Sequence, residues 1–267
     1  MQKHPAHSNL LRFNLLANES SLAHFVTTVS GGVSKDAYST FNLGEYCGDS
    51  PENVKQNRRR LSEMLGVEPY KLFVPYQTHE DKICVVDGRF LSQPNSQQAK
   101  LLNGVDALIT NQPHACIGVT TADCVPLLVY DPVNCIFAAI HAGWRGTAAG
   151  IAGKTVQRMI VGFSCNPKAL KVGIGPHIGV NAFEVGDDVA ETFREAGYSP
   201  DTFGYKDNGK YHIDLAKCNV DQLLNVGIEP DNIEISGICT YTASERCFSA
   251  RRQGIQSGRM LTGGFLL

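Results

Sequence analysis

At 267 residues the chain is long enough to bury a full core, as one large domain or as two fused halves, and nothing about its size calls for disulfide staples. Hydrophobic residues make up 43% and charged residues 19%, with a formal net charge of -2. That balance is ordinary for a globular protein and gives neither a nucleic-acid footprint nor a basic membrane-surface patch.

The N-terminal apolar stretch is interrupted by Arg12 and Asn14, so it lacks the continuous apolar centre of a signal peptide. No run approaches the ~18 apolar residues of a membrane span. The expected location is the cytoplasm. The nine cysteines form no Cys-x-x-Cys pair, which reads as reduced thiols, most of them small buried hydrophobes.

In chain order, "HFVTTVS" (24–30) predicts a first strand. "SPENVKQNRRRLSEMLG" (50–66) predicts a helix with Ser50 as N-cap, Pro51 in the first turn, an apolar face of Val54, Leu61, Met64 and Leu65, and Gly66 as the stop. Strand-like runs follow at 71–78 and 82–87, and the polar stretch 92–104 reads as a surface loop. Further strands are predicted at 106–110, 116–120, 125–130 and 135–141, then a helix from Thr147 to Phe163. A strand at 170–175, helices at 185–197 and 214–227, and a strand at 232–238 complete the reading. Many strands with few helices and no strict βαβ alternation predict an α+β (mixed α/β) class.

The segment "TADCVPLLVYDPVNCIFAAIHAGWRG" (121–146) joins two apolar runs through Asp-Pro-Val-Asn. Taking Asp131 to Asn134 as a four-residue hairpin loop sets Tyr130 against Cys135 and Cys124 against His141, with their Cβ atoms roughly 4.5–5.5 Å apart. That separation suits two ligands of one metal. Arg145, beside the single tryptophan Trp144, is awkward to bury and suits an anionic ligand. His79, at the end of a strand-like run and flanked by Gln77, Thr78 and Glu80, is the best third ligand. Against this stands a plainer reading, in which Cys124 is a core thiol and His141 a satisfied histidine.

"YQTHE", "DALIT", "TADCVPLLVYD", "AAIHAGWRGTAAGI", "GIGPHIG", "FEVGDDV", "IDLAKCNVDQL" and "FSARRQGIQSGR" occur in this order. In that pattern the chain resembles the multicopper polyphenol oxidase or laccase-domain proteins, the YfiH-like group, over nearly its whole length from about residue 25. The resemblance implies a zinc site of His79, Cys124 and His141 in a single domain (25–267) of packed mixed sheets flanked by helices, preceded by an N-terminal segment (1–24). It implies a purine nucleoside phosphorylase acting on adenosine, inosine, guanosine and methylthioadenosine, with adenosine deaminase activity. The older laccase description makes it a copper-dependent polyphenol oxidase, and some relatives are credited with correcting peptidoglycan precursors. Three departures stand out: Val29 where arginine is common, His177 where cysteine is common, and an apparent extra residue near Arg251.

One thiolate and two imidazoles with an open fourth position describe a catalytic zinc centre, which lowers the pKa of bound water to about 7. For the remaining roles, Asp123 is expected as proton shuttle or as partner of a ligand histidine. Arg145 and Arg58 are expected on phosphate, with Asn42 and Gln77 on the nucleoside. Three rivals remain. A blue-copper oxidase would want an axial methionine near the ligands, a cysteine hydrolase would use Cys124 with His141 as base, and a structural zinc would need a fourth protein ligand, for which His177 is the residue to watch.

Overall fold

The computed structural model describes residues 1–199 and 201–267. The strands are β1 (Gln2–Lys3), β2 (Leu10–Arg12), β3 (Leu22–Thr27), β4 (Leu72–Phe73), β5 (Ile83–Val86), β6 (Ala107–Thr110), β7 (Cys116–Thr121) and β8 (Val125–Asp131). They continue with β9 (Ile136–Ala142), β10 (Lys171–Ile174), β11 (Glu184–Val185), β12 (Gly204–Asp207), β13 (Lys210–Ile213), β14 (Ile233–Ile235) and β15 (Met260–Leu266). The helices are α1 (Pro51–Leu65), α2 (Gly88–Leu91), α3 (Asn95–Leu101), α4 (Trp144–Ala148), α5 (Ile151–Phe163), α6 (Asp187–Glu195), α7 (Leu215–Asn225) and α8 (Ala250–Gln253). No helix among the described residues is long and apolar enough to cross a membrane.

Two six-stranded mixed sheets carry the fold, in the orders β1-β2-β3-β15-β7-β4 and β14-β10-β8-β9-β6-β5, with a small sheet β11-β13-β12 beside them. Strand alternation sorts side chains between layers. Leu11, Val26, Ile117 and Val119 of the first sheet meet Leu108, Leu128, Tyr130, Phe137 and Ala139 of the second in a shared core. The other face of the second sheet, with Ile109, Leu127, Val129, Ala138 and Ile140, packs on Ile151, Val156 and Met159 of α5 and Leu215 and Leu223 of α7. The outer face of the first sheet, with Phe25, Cys116, Leu261 and Phe265, receives Leu61 of α1. The layers are therefore helix, sheet, sheet, helix. Each fully buried leucine or phenylalanine contributes about 1.5–3 kcal/mol of transfer free energy.

The expected α+β class with helices outside packed sheets is the class observed. β8 is buried at every residue because both of its faces are covered, which is why it reads as a continuous apolar run. Local readings differ in several places. Residues 92–104 lie on the surface but contain α3, which lacks an apolar stripe because it buries none of its residues. The helix expected from Thr147 to Phe163 is two helices: α4 begins earlier, at Trp144, and the chain breaks at Gly150, whose φ of +81° is left-handed. Of the strand expected at 71–78 only Leu72–Phe73 is strand; Lys71 ends a 3-10 turn, and beyond Phe73 only Tyr76 pairs, in an isolated bridge to Asn103. β15, at the centre of the first sheet, carried no sequence signal.

Candidate metal centre and its cleft

The hairpin β8–β9 forms with a register shifted from the expected one: Asp131 pairs with Ile136 and Pro126 with His141. The loop is Pro132–Cys135, because the Asp131 carboxylate accepts the backbone N–H groups of Val133 (2.8 Å) and Asn134 (3.1 Å) and so caps the turn itself. The shift moves Cys124 from directly opposite His141 to one step diagonal. It preserves the parity of the pairing, so both side chains still share a face.

Continuing the register one step beyond β8 brings Cys124 level with Gly143. A Cβ on Gly143 would lie 2.9 Å from His79 Cδ2 and 3.2 Å from Cys124 Sγ, so the missing side chain there is the space in which the three groups converge. One ligand atom from each of His79, Cys124 and His141 lies within 4.8 Å of the others. The rings of His79 and His141 stand edge to face at 4.8 Å.

A single buried carboxylate sets up two of these residues. Asp106, fully buried at the start of β6, accepts from His141 Nδ1 (2.7 Å) and His79 N (3.0 Å) on one oxygen, and from Thr78 N (3.2 Å) and Glu80 N (3.0 Å) on the other. It thereby ties down the turn in which His79 takes a left-handed φ of +65°. The His141 ring is held with Nδ1 as donor, which turns Nε2 toward Cys124 and His79. Sequence reading had Asp106 only as the first residue of a strand; His79 and Asp106 are 27 positions apart, with no local pattern to join them.

Burial works against charge on both Cys124 and His141, and their pairing overcomes it. The thiol is brought down to about 6 by the neighbouring His141 and His79 imidazoles, and His141 is raised to about 9 by the thiolate and by Asp106. Both shifts favour the thiolate and imidazolium forms over the neutral pair, and the thiolate is the form that ligates a metal. A thiolate with two imidazoles is a donor set that fits zinc and leaves one position open. His177 stands apart from it: its Nδ1 donates to Gly175 O at 2.8 Å.

The three residues lie in the wall of a cleft of about 640 Å³. Its lining also includes Gly44–Cys47, Arg58, Tyr76, Gln77, Trp144, Arg145, Phe183, Arg251 and Arg259, with Gly44 packed against the Arg259 side chain. The family described as "Multi-copper polyphenol oxidoreductase laccase" matches residues 23–266. The chain belongs to this family. A protein from Bacteroides thetaiotaomicron named "Purine nucleoside phosphorylase" is 42% identical over 95% of this chain and 95% of its own length. "Adenosine deaminase RL5", from an unknown prokaryotic organism, is 39% identical over 90% of this chain and 92% of its own. The structure of YlmD from Geobacillus stearothermophilus superposes with a TM-score of 0.88 at 31% identity, covering 99% of this chain and 98% of that one.

The other residues singled out from the sequence fall into different places. Asp123 lines the cleft, but its carboxylate oxygens accept from Thr240 Oγ1 (2.6 Å) and Arg251 N (2.7 Å), so it anchors the segment that carries Arg251 and not a ligand histidine. Arg58 is in the wall with its guanidinium on Leu43 O and paired to Glu45. Gln77 is in the wall with its amide bonded to Thr120 in both directions. Asn42 is not in the lining: fully buried, it donates to Asp49 and accepts from Gly44 N and Arg259 N, tying together from behind the two lining segments that carry Gly44 and Arg259. Arg145 is exposed, and its guanidinium stacks over Trp144 at 4.1 Å and makes no hydrogen bond or ion pair among the described residues. Val29 is not in the lining; it packs against the cluster of Ala122, Cys247, Phe248 and Met260, of which Ala122 lines the cleft. Arg251, Arg259, Tyr46, Tyr76 and Phe183 were not singled out; the two arginines sit inside the "FSARRQGIQSGR" motif, which was the available signal for them.

Proposed function

We propose that the chain is a zinc-dependent purine nucleoside enzyme. It cleaves adenosine, inosine, guanosine and methylthioadenosine with phosphate, and it deaminates adenosine. In the first reaction the C1′–N9 bond breaks and a C1′–O bond to phosphate forms, giving free base and ribose 1-phosphate, or 5-methylthioribose 1-phosphate from methylthioadenosine. In the second, water replaces the 6-amino group and ammonia leaves. The observation that carries the reading is the convergence of His79, Cys124 and His141 in the wall of a cleft that also holds an unengaged arginine. The names of the relatives from Bacteroides thetaiotaomicron and of RL5 support the two reactions.

His79, Cys124 and His141 would hold the metal, and zinc bound there supplies Lewis-acid chemistry, polarising an oxygen and lowering the pKa of a bound water. Asp106 fixes the tautomer of His141 and the turn of His79. Arg145, with its donors unspent, binds phosphate and neutralises its charge. Asp123 keeps Arg251 in the wall. Asn42 acts through the lining segments it joins, without touching substrate.

The test is mass-spectrometric product analysis of adenosine incubated with phosphate and with zinc-loaded, chelated and Cys124→Ala protein. Adenine with ribose 1-phosphate, or inosine and hypoxanthine, formed by the zinc-loaded wild type alone is the expected result. No turnover in any sample sinks the reading. Phenol oxidation by copper-loaded protein and hydrolysis of cell-wall precursors are then the next assays. The copper reading is the weaker because none of the four methionines lines the cleft to serve as an axial ligand.

A further inference from the structure

Tyr46, Tyr76, Trp144 and Phe183 line the cleft. Two of these rings are already in use. The Arg145 guanidinium lies 4.1 Å over Trp144, and that of Arg251 lies 5.4 Å over Phe183, held there by bonds to Ala182 O and Glu184 O. A face with a cation over it is not open to a flat ligand.

Tyr46 and Tyr76 differ. They come from separate segments, one from the Gly44–Cys47 wall and the other three residues before His79, and meet edge to face at 4.4 Å with planes at 75°. In such a pair the ring that supplies its edge keeps both of its own faces. Tyr46 is 69% exposed and Tyr76 41%, so neither is held in place by a core. Exposed tyrosines scattered singly need no explanation. Two in contact on the wall of one cleft, beside a candidate metal ligand, make an aromatic surface with an unoccupied face.

We propose that Tyr46 and Tyr76 are the platform on which the substrate base stacks, and that they favour a bicyclic purine over a pyrimidine by the larger ring area they cover. This rests on the nucleoside reading above and adds to it the residues that choose the base. Stacking on an aromatic side chain requires the π face and not the hydroxyl, which separates a platform from a polar contact.

Inosine without phosphate tests this, because it lacks both the second substrate of phosphorolysis and the amino group lost in deamination. Binding of inosine and of uridine to zinc-loaded protein is measured by calorimetry for the wild type and for Tyr46→Ala, Tyr76→Ala, Tyr46→Phe and Tyr76→Phe. Bound zinc and melting temperature are followed for each, and both are expected to stay at the wild-type value since the rings are exposed. The expected result is inosine affinity about 5- to 150-fold weaker for the alanine forms, the range that stacking on one ring supplies, with the phenylalanine forms close to wild type and the wild-type preference for inosine over uridine reduced. Wild-type protein that binds inosine and is unmoved by either alanine change overturns the platform alone. Wild-type protein that binds no nucleoside overturns the nucleoside reading and the platform with it.

Discussion

Asp106→Asn is the sharpest perturbation of the candidate metal centre, because it keeps the shape and removes one acceptor. The carboxylate serves four donors, two on each oxygen. The amide offers one oxygen and places an NH₂ where the other was. Whichever way it turns, two donors that are buried or part-buried then face a donor. Each such loss costs about 1–3 kcal/mol, so the substitution should destabilise the fold by about 2–6 kcal/mol and lower the melting temperature by roughly 2–4 °C for each of those kilocalories. The same change frees the tautomer of His141 and the turn of His79, for which about 10- to 100-fold weaker metal binding is expected. Urea unfolding measures the first quantity, and zinc competition against a chromophoric chelator the second. Wild-type zinc affinity in a destabilised variant would refute the positioning argument and leave Asp106 a structural residue. Wild-type values of both would refute the hydrogen-bond reasoning altogether. The Asp106 carboxyl is held below its ordinary range, burial being outweighed by the bonds from His141 and the turn. Its contribution is therefore complete above the unfolded pKa of about 4 and is lost as acid protonates the folded form below that.

Gly143→Ala should push His79 and Cys124 apart, since the new methyl group would lie 2.9 Å from one and 3.2 Å from the other; activity falls about 100-fold for a displacement near 1 Å, and unchanged zinc affinity would show that the glycine is not needed for the ligands to converge. In metal-free protein, iodoacetamide labelling of Cys124 should rise through a midpoint near pH 6, where the thiolate forms, and zinc should protect it; a midpoint near that of a free thiol would remove the ion pair from the site. The lowered thiol contributes stability that builds as pH rises from about 6 to the ordinary thiol value of 9.0, and the raised imidazole stability that fades from the ordinary 6.5 up to about 9, so the two offset each other and urea unfolding of metal-free protein should show little change in stability across that window; a sharp maximum there would refute the pairing of the two shifts. Arg145→Ala should leave the melting temperature unchanged and raise KM for phosphate about 10- to 150-fold, the range of one charge-assisted hydrogen bond; an unchanged KM would move phosphate elsewhere in the cleft.

The architecture was legible where burial is two-sided and periodic. β7, β8 and β9 read directly because their apolar runs are bounded by turn residues, and α1 because Pro51 and the left-handed Gly66 mark its ends. β15 was not, although it holds β3 and β7 together. Its two glycines look like a break in a strand, yet a Cβ on Gly263 would lie 2.4 Å from Ile117 O and one on Gly264 2.5 Å from Ala23 O. The neighbouring strands come too close there for any side chain, and that closeness is written in two distant segments.

The site divides along a different line. The convergence of His79, Cys124 and His141 was legible because their chemistry is unusual for their position, and the hairpin register, though shifted, kept the correct parity. Which polar neighbours meet a ligand was not legible, since sequence gives a residue's hydrogen-bonding capacity and not how much of it the fold has already used. Arg58 gives its guanidinium to Leu43 O and Glu45, Gln77 its amide to Thr120, and Asn42 its side chain to the lining segments of Gly44 and Arg259. Arg251 and Arg259 are likewise tied to backbone carbonyls. Arg145 keeps its donors free while resting on Trp144, in a cleft where every other arginine is engaged. A buried or half-buried donor already satisfied gains little from a ligand; a guanidinium held in place by an aromatic ring with its donors unspent loses little entropy in binding one. That difference in unspent bonding capacity, more than distance from the metal ligands, is the physical ground for giving the anion to Arg145.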